Sequence, residues 1–261
     1  MATKFQPQNN KSPYLPTYIL VRGLLGSYMP GHFKKVQSEL QRAGAEARIA
    51  PTDPAGTISQ NAEAIAAMLP RLVGHSNSIV FLAHSKGGLE TLGALFRNPS
   101  LRNNTKAAIL FQTPKRGAPY LKSLFRKDIP KQPVQKIREG IHKLALTAIL
   151  AKRACSELSV CEKLPFVDEI ERTRFGFPIF SYSTYSTSNS GWIELQADRI
   201  KQLEPDKEND GVFLTEDQVW PQFNHRELSE IDHAEPTVGS NRIDEAALWR
   251  RVLVENDLFP T

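Results

Sequence analysis

Ser85 is the residue around which chemistry can be built. It stands in Ala83-His84-Ser85-Lys86-Gly87-Gly88, after the apolar run Ser78–Ala83 and before a stretch, Lys86 to Phe96, whose apolar residues recur at helical spacing. A serine in a sharp strand-to-helix turn projects its hydroxyl beyond the sheet. The positions two before and two after it must be small, because strand and helix crowd there. Ala83 and Gly87 meet that demand. Such a serine attacks acyl carbon, and for this it needs a base, an acid to orient the base, and donors for the oxyanion. The competing explanation is a serine that merely caps the following helix.

The acid and the base are expected after the serine, in the order Ser, acid, His. His32, His75 and His84 come too early, and His142 lies in a basic insertion, which leaves His225 and His233. His225 falls inside the expected last strand, whereas His233 lies on the loop after it, in Ile231-Asp232-His233-Ala234-Glu235-Pro236. A general base belongs on such a loop, so His233 is favoured. Asp210, in Asn209-Asp210-Gly211, is the first choice for the acid, with Asp206 and Asp232 as alternatives. A plain Asp-Gly turn would account for the same residues without chemistry. For the oxyanion, Arg22-Gly23-Leu24-Leu25-Gly26 follows the first strand, and its glycines let backbone approach a bound substrate. One donor from that loop and one from the residue after Ser85 point to the N–H groups of Leu24 and Lys86. Arg22, Leu25 and His84 flank these groups and are expected to touch the substrate.

The elements that must position these residues alternate. Strands are expected at 17–22, 45–50, 78–83 and 107–112, with helices at 31–43, 57–73 and 86–96 between them. Short apolar runs with no polar alternation signal strands buried on both faces, as in a parallel sheet. The class is therefore α/β, a doubly wound, mostly parallel sheet. From Pro114 to Phe175 the alternation stops and a basic, helical stretch takes over, with Val134, Ile137, Ile141, Leu144, Ala148 and Ala151 on one face. Strands resume at 178–185 and 223–231, and a helix over 244–255 closes the chain. This divides the chain into an extension (1–16), a core (17–119 and 177–261) and a helical basic cap (120–176).

Charge is local. From Thr113 to Arg153 there are eleven Lys or Arg against two acids, so the rest of this chain of formal net charge +5 is net negative. An amphipathic basic cap fits an acyl chain in an apolar groove and an anionic membrane surface as partner; an ordinary solvated basic face fits equally. The region lacks interleaved aromatics, so no nucleic acid is expected. There is no 18-residue apolar run and no apolar leader in Met1–Pro16, from which a cytoplasmic protein, or one exported without a signal peptide, is expected. Cys155 and Cys161 are expected to be reduced, and no Cys/His spacing suggests a metal.

Four segments resemble the bacterial lipase and esterase branch of the α/β-hydrolases. Val21-Arg22-Gly23-Leu24-Leu25-Gly26 is similar to that family's oxyanion loop, and Leu82–Leu89 to its nucleophile segment, with Ala83 in place of the more usual glycine. Gln112-Thr113-Pro114-Lys115-Arg116-Gly117-Ala118-Pro119 resembles the segment after the next strand, and Asn209-Asp210-Gly211 with Asp232-His233 the acid and base. The resemblance implies an α/β-hydrolase fold with a variable lid over 120–176. It also implies ester hydrolysis through an acyl-enzyme on Ser85, with lipid or other acyl esters as substrates and short-chain esters as the near alternative. No cofactor follows from it. Glu235 has no companion set of acids, so calcium is not expected. Arg22 and Lys115 stand where the family has histidines, placing positive charge at the expected mouth; Arg22 also motivates the alternative of a non-catalytic binding protein on a hydrolase scaffold.

Overall fold

A computed structural model describes residues 15–24, 26, 31–68, 78–118, 152–188 and 192–260. Six strands, β1 (Thr17–Val21), β2 (Ala47–Ile49), β3 (Ile79–His84), β4 (Thr105–Phe111), β5 (Ile179–Tyr185) and β6 (Asn224–Ser229), form one sheet in the order β2-β1-β3-β4-β5-β6. Every neighbouring pair is parallel. β3 sits between β1 and β4, with Val21 opposite Ala83 and His84 opposite Phe111.

Side chains alternate across the sheet and so build two cores. On one face Ile19, Phe81, Ala83 and Leu110 pack with α2 (Ile58–Ala66) and α3 (Lys86–Arg97). On the other, Tyr18, Leu20, Val80, Leu82 and Phe111 pack with α1 (Lys34–Arg42) and the closing helix. A short α4 (Pro99–Asn103) follows α3, started by the Asn98 side chain, which accepts from the Leu101 N–H. α2 begins with a reciprocal cap between Thr57 and Gln60. α3 is buried from Lys86 to Leu95, far more than an amphipathic surface helix.

Residues 152–176, assigned from sequence to the cap, contribute to the first core. α5 (Lys152–Ser159) and α6 (Val167–Arg172) place Ala154, Leu158, Phe166 and Ile170 in the same cluster as Ile58 and Leu92. Glu157 accepts from the Ile58 N–H at 2.7 Å, an anion on the amino end of α2. The apolar face Val134–Ala151 lies outside the described residues. Cys155 and Cys161 are both buried and are not joined by a disulfide. Among the described residues no helix is long and apolar enough to cross a membrane.

Two segments depart from the sequence reading. α7 (Trp192–Leu203) was not anticipated, although Ile193, Ala197 and Ile200 are buried at helical spacing. The last strand is shorter than 223–231 and largely exposed, as suits a polar edge strand paired on one side only. Beyond it come a single turn, α8 (Glu235–Val238), and α9 (Glu245–Glu255), which begins with the Asp244 side chain accepting from Ala246.

Candidate active site

The candidate residues gather beyond the carboxyl ends of the strands, where open parallel sheets place their ligand sites. Ser85 is the first residue after β3. Its backbone has φ 55° and ψ −128°, and its side chain makes no capping hydrogen bond to α3. That removes the helix-cap explanation: the hydroxyl is turned away from the helix and lies 2.9 Å from His233 Nε2. The crowding that demands small neighbours is measurable. A Cβ on Gly87 would sit 2.5 Å from the carbonyl oxygens of both Val21 and Arg22, and one on Gly88 would sit 1.8 Å from Thr113 Oγ1. The loop after β1 is thus pressed against the first turn of α3. Gly23 and Gly26 close a turn (Gly26 N–H to Gly23 C=O, 3.1 Å), with Leu24 inside it. Lys86 heads α3, so its N–H belongs to the positive end of a helix. Leu25 lies outside the described residues.

His233 follows β6 and reaches back over the sheet. Its Nδ1 is 2.8 Å from Asp210 Oδ2. An ionised carboxylate only accepts, so Nδ1 carries the proton and Nε2 is left to accept from Ser85. Asp210 is fully buried, and four donors hold it: Val212 N–H and Phe213 N–H on Oδ1 (both 2.8 Å), and Gln218 Nε2 (3.2 Å) with His233 on Oδ2. The Asp-Gly turn is therefore a mount for a carboxylate and not a plain connection. The Phe213 ring meets the His233 ring edge-on at 5.1 Å. This Ser–His–Asp relay can take a proton from a hydroxyl and return it to a leaving group.

The alternatives fall elsewhere. Asp206 is exposed. Asp232 Oδ1 accepts from the N–H groups of Ala234 and Glu235 at the start of α8. His225 stays in β6, its two ring nitrogens within reach of Ser181 Oγ (2.9 Å) and Ser183 Oγ (3.2 Å). Glu235 is engaged by the Asp232 N–H, Ser240 and Arg242.

Two residues of the surroundings are more engaged than the sequence suggests. His84 is only 4% exposed. Its Nε2 lies 2.9 Å from both Gln112 Oε1 and the His233 carbonyl, and its ring packs 4.8 Å from that of His233. Lys115 does not leave a bare charge at the mouth, because its Nζ pairs with Glu171 at 2.5 Å. Arg22 is partly exposed and close enough to depress the pKa of His32. Beneath the site, Lys86 Nζ forms a buried ion pair with Glu90, whose carboxyl also accepts from Asn61 at 2.6 Å. Burial, opposed by the Lys86 ammonium, pushes Glu90 up to about 7.

Sequence reasoning missed Gln112, Gln218 and His32 as parts of this region. His32 is 2% exposed, and burial, with the charges of Arg22 and His233, pushes it down to about 3. Its unfolded value is about 6.5, so the unfolded chain binds the proton first. The stability His32 contributes is present above pH 6.5 and is lost as pH falls towards 3. Between pH 7 and pH 5 this amounts to about 2 kcal/mol. His32→Gln should therefore lose about that much less than the wild type over the same interval. Urea unfolding at both pH values checks this, and equal losses in the two proteins would rule it out.

Comparison with solved structures decides the architecture. The chain superimposes on a lipase of Bacillus licheniformis in its mature form with a TM-score of 0.70, at 16% identity, over 96% of this chain and 95% of that one. The fold is that of the α/β-hydrolases. A metagenomic carboxyl esterase matches the chain with a TM-score of 0.72 and 22% identity over 99% of this chain and 82% of the other. A phospholipase of Legionella pneumophila matches at 0.54 and 13% over 78% of this chain, which spans only 45% of that larger protein. No protein-family model and no curated protein matches the chain. In α/β-hydrolase terms Ser85 occupies the turn after the central strand, and Asp210 and His233 follow it in chain order.

Proposed function

We propose that the protein is a serine carboxylic-ester hydrolase that forms an acyl-enzyme on Ser85. The observation that carries this reading is the continuous relay from Ser85 Oγ through His233 to the buried Asp210, at 2.9 and 2.8 Å. His233 Nε2 takes the Ser85 proton as Oγ attacks the ester carbonyl, and gives it to the departing alkoxide. Water then repeats the sequence on the acyl-enzyme, releasing the acid. The N–H groups of Leu24 and Lys86 would hold the tetrahedral oxyanion, the latter aided by the helix dipole. The likeness to lipases and esterases supports acyl esters as the substrate class, lipid esters first and short-chain esters second, with Arg22 beside the mouth. A complete relay with a strained serine is poor support for a non-catalytic scaffold.

A panel of p-nitrophenyl and glyceryl esters varying in chain length and head-group charge tests this, together with labelling by a fluorophosphonate. Hydrolysis and a single labelled serine are expected. A chain that neither hydrolyses nor labels is not a serine hydrolase.

A further inference from the structure

Ser85 stands at the end of β3 and His233 beyond the end of β6, with β4 and β5 between them. Three strand spacings of about 4.8 Å separate them across the sheet. The loop after β6 must therefore cross the ends of β5 and β4 before the His233 ring can meet Ser85. β6 pairs with β5 alone and is mostly exposed, so ladder bonding cannot set that crossing to a fraction of an ångström.

The crossing backbone is held by its own N–H groups, Ile231 to the Tyr185 carbonyl (3.0 Å) and His233 to the Asp210 carbonyl (2.8 Å), and its carbonyls are held by a polar unit hung on the two central strands. Gln112, the first residue after β4, is fully buried, and its N–H is bound by the Tyr182 carbonyl at 2.8 Å. Its side-chain amide donates to the Asp232 carbonyl (3.0 Å) and to Thr184 Oγ1 (2.5 Å), while its Oε1 accepts from His84 Nε2 at 2.9 Å. The same His84 Nε2–H reaches the His233 carbonyl at 2.9 Å. Both neighbours of Nε2 are carbonyl-type acceptors, so Nε2 carries the proton and the amide orientation of Gln112 follows. Gln112 has φ 52°, a left-handed conformation that glutamine seldom adopts and that costs on the order of 1–3 kcal/mol. The backbone is bent there to aim one side chain with both a donor and an acceptor at the crossing loop. Burial keeps His84 well below the usual histidine range, so it adds no second positive charge beside a protonated His233.

We propose that Gln112 and His84 are positioning residues that clamp the successive carbonyls of Asp232 and His233, locking the His233 ring over Ser85. This rests on the ester-hydrolase reading above. Neither side chain donates or accepts a proton in this scheme; Gln112 acts through the Asp232 carbonyl, and His84 through the His233 carbonyl and the packing of its ring on the His233 ring. A misplacement of about 1 Å at such a base costs on the order of 100-fold in rate.

The test uses the full chain with a p-nitrophenyl ester and a fluorophosphonate, each variant assayed well below its own unfolding midpoint. Gln112→Met keeps the length and removes every side-chain hydrogen bond; His84→Leu removes the donor; His84→Gln returns a donor near the position of Nε2. Gln112→Met and His84→Leu should lower kcat and the labelling rate about 10- to 100-fold with KM within about twofold, and His84→Gln should recover most of the loss. Thr184→Val, which removes one contact of Gln112 and preserves shape, should lower kcat about threefold and carries the test if Gln112→Met fails to fold. Thr105→Val, which deletes a buried hydrogen bond at the far end of β4, should lower stability and leave kcat unchanged. Unchanged kcat in the folded variants, a loss confined to KM, or His84→Gln falling as far as His84→Leu would overturn the clamp while leaving the hydrolase reading intact. An inactive, unlabelled wild type would bring down both.

Discussion

Ser85→Ala is expected to lower ester hydrolysis by ~10⁴-fold or more and to abolish fluorophosphonate labelling, with the circular-dichroism spectrum unchanged. The hydroxyl is the only part of Ser85 that the site uses, since its side chain makes no bond to α3 and its N–H is held by the Phe111 carbonyl at 2.9 Å. A companion variant separates chemistry from strain. At φ 55° the serine backbone is in a region that glycine enters without penalty. Ser85→Gly should be as inactive as Ser85→Ala but unfold a few degrees higher, since about 1 kcal/mol moves the midpoint of a chain this size by roughly 2–4 °C. Residual turnover in Ser85→Ala near the wild-type rate would remove Ser85 from the mechanism. Equal midpoints for the two variants would remove the strain.

The second large effect is expected from Asp210→Asn. The Asp210 carboxylate accepts from the Val212 and Phe213 N–H groups on one oxygen and from His233 Nδ1 on the other. The backbone donors will keep the amide oxygen of the asparagine on their side, turning its NH₂ towards His233. A donor there selects the wrong imidazole tautomer, with Nδ1 bare and Nε2 protonated, and Nε2 can no longer accept from Ser85. The loss should be ~10⁴-fold in kcat, with KM little changed. Asp232→Asn serves as the contrast, because Asp232 Oδ1 accepts from the Ala234 and Glu235 N–H groups at the start of α8, whereas His233 Nδ1 is bonded by Asp210. It should stay within about tenfold of the wild type. If Asp232→Asn proves the more damaging in kcat, the acid has been misassigned.

Much of this geometry was legible in the sequence because it is written in local signals. A buried apolar run, small residues around Ser85 and a helical period after it define the turn whatever the rest of the chain does. Asp210 and His233 could be selected because the acid and base must follow the serine in that order, which leaves two histidines, of which only His233 lies on the loop after the last strand, and few carboxylates in turns before it. Gln112 left no such trace. Its partners are His84, Thr184 and Asp232, separated from it by 28 to 120 residues, and a hydrogen bond across that distance has no period or composition. The hydrogen bonds of His84 to Gln112 and to the His233 carbonyl were invisible for the same reason: their partners lie 28 and 149 residues away. The helix over Trp192–Leu203 carried a readable period, which the Ser/Thr/Asn-rich stretch before it obscured.

The spread of the relay along the chain has a consequence for biosynthesis. Ser85 and its turn need only β1, β3, β4 and α3, all complete by residue 111, whereas Asp210 and His233 come much later in the chain, and His233 meets Ser85 across the ends of β5 and β4. While a nascent chain emerges, its amino-terminal part can collapse early, as domains do on the ribosome. The serine it presents is then an unassisted alcohol until the final strand docks. On the ester-hydrolase reading, competence is therefore acquired only once the segment carrying Asp210 and His233 has been made and docked, and turnover would report that docking.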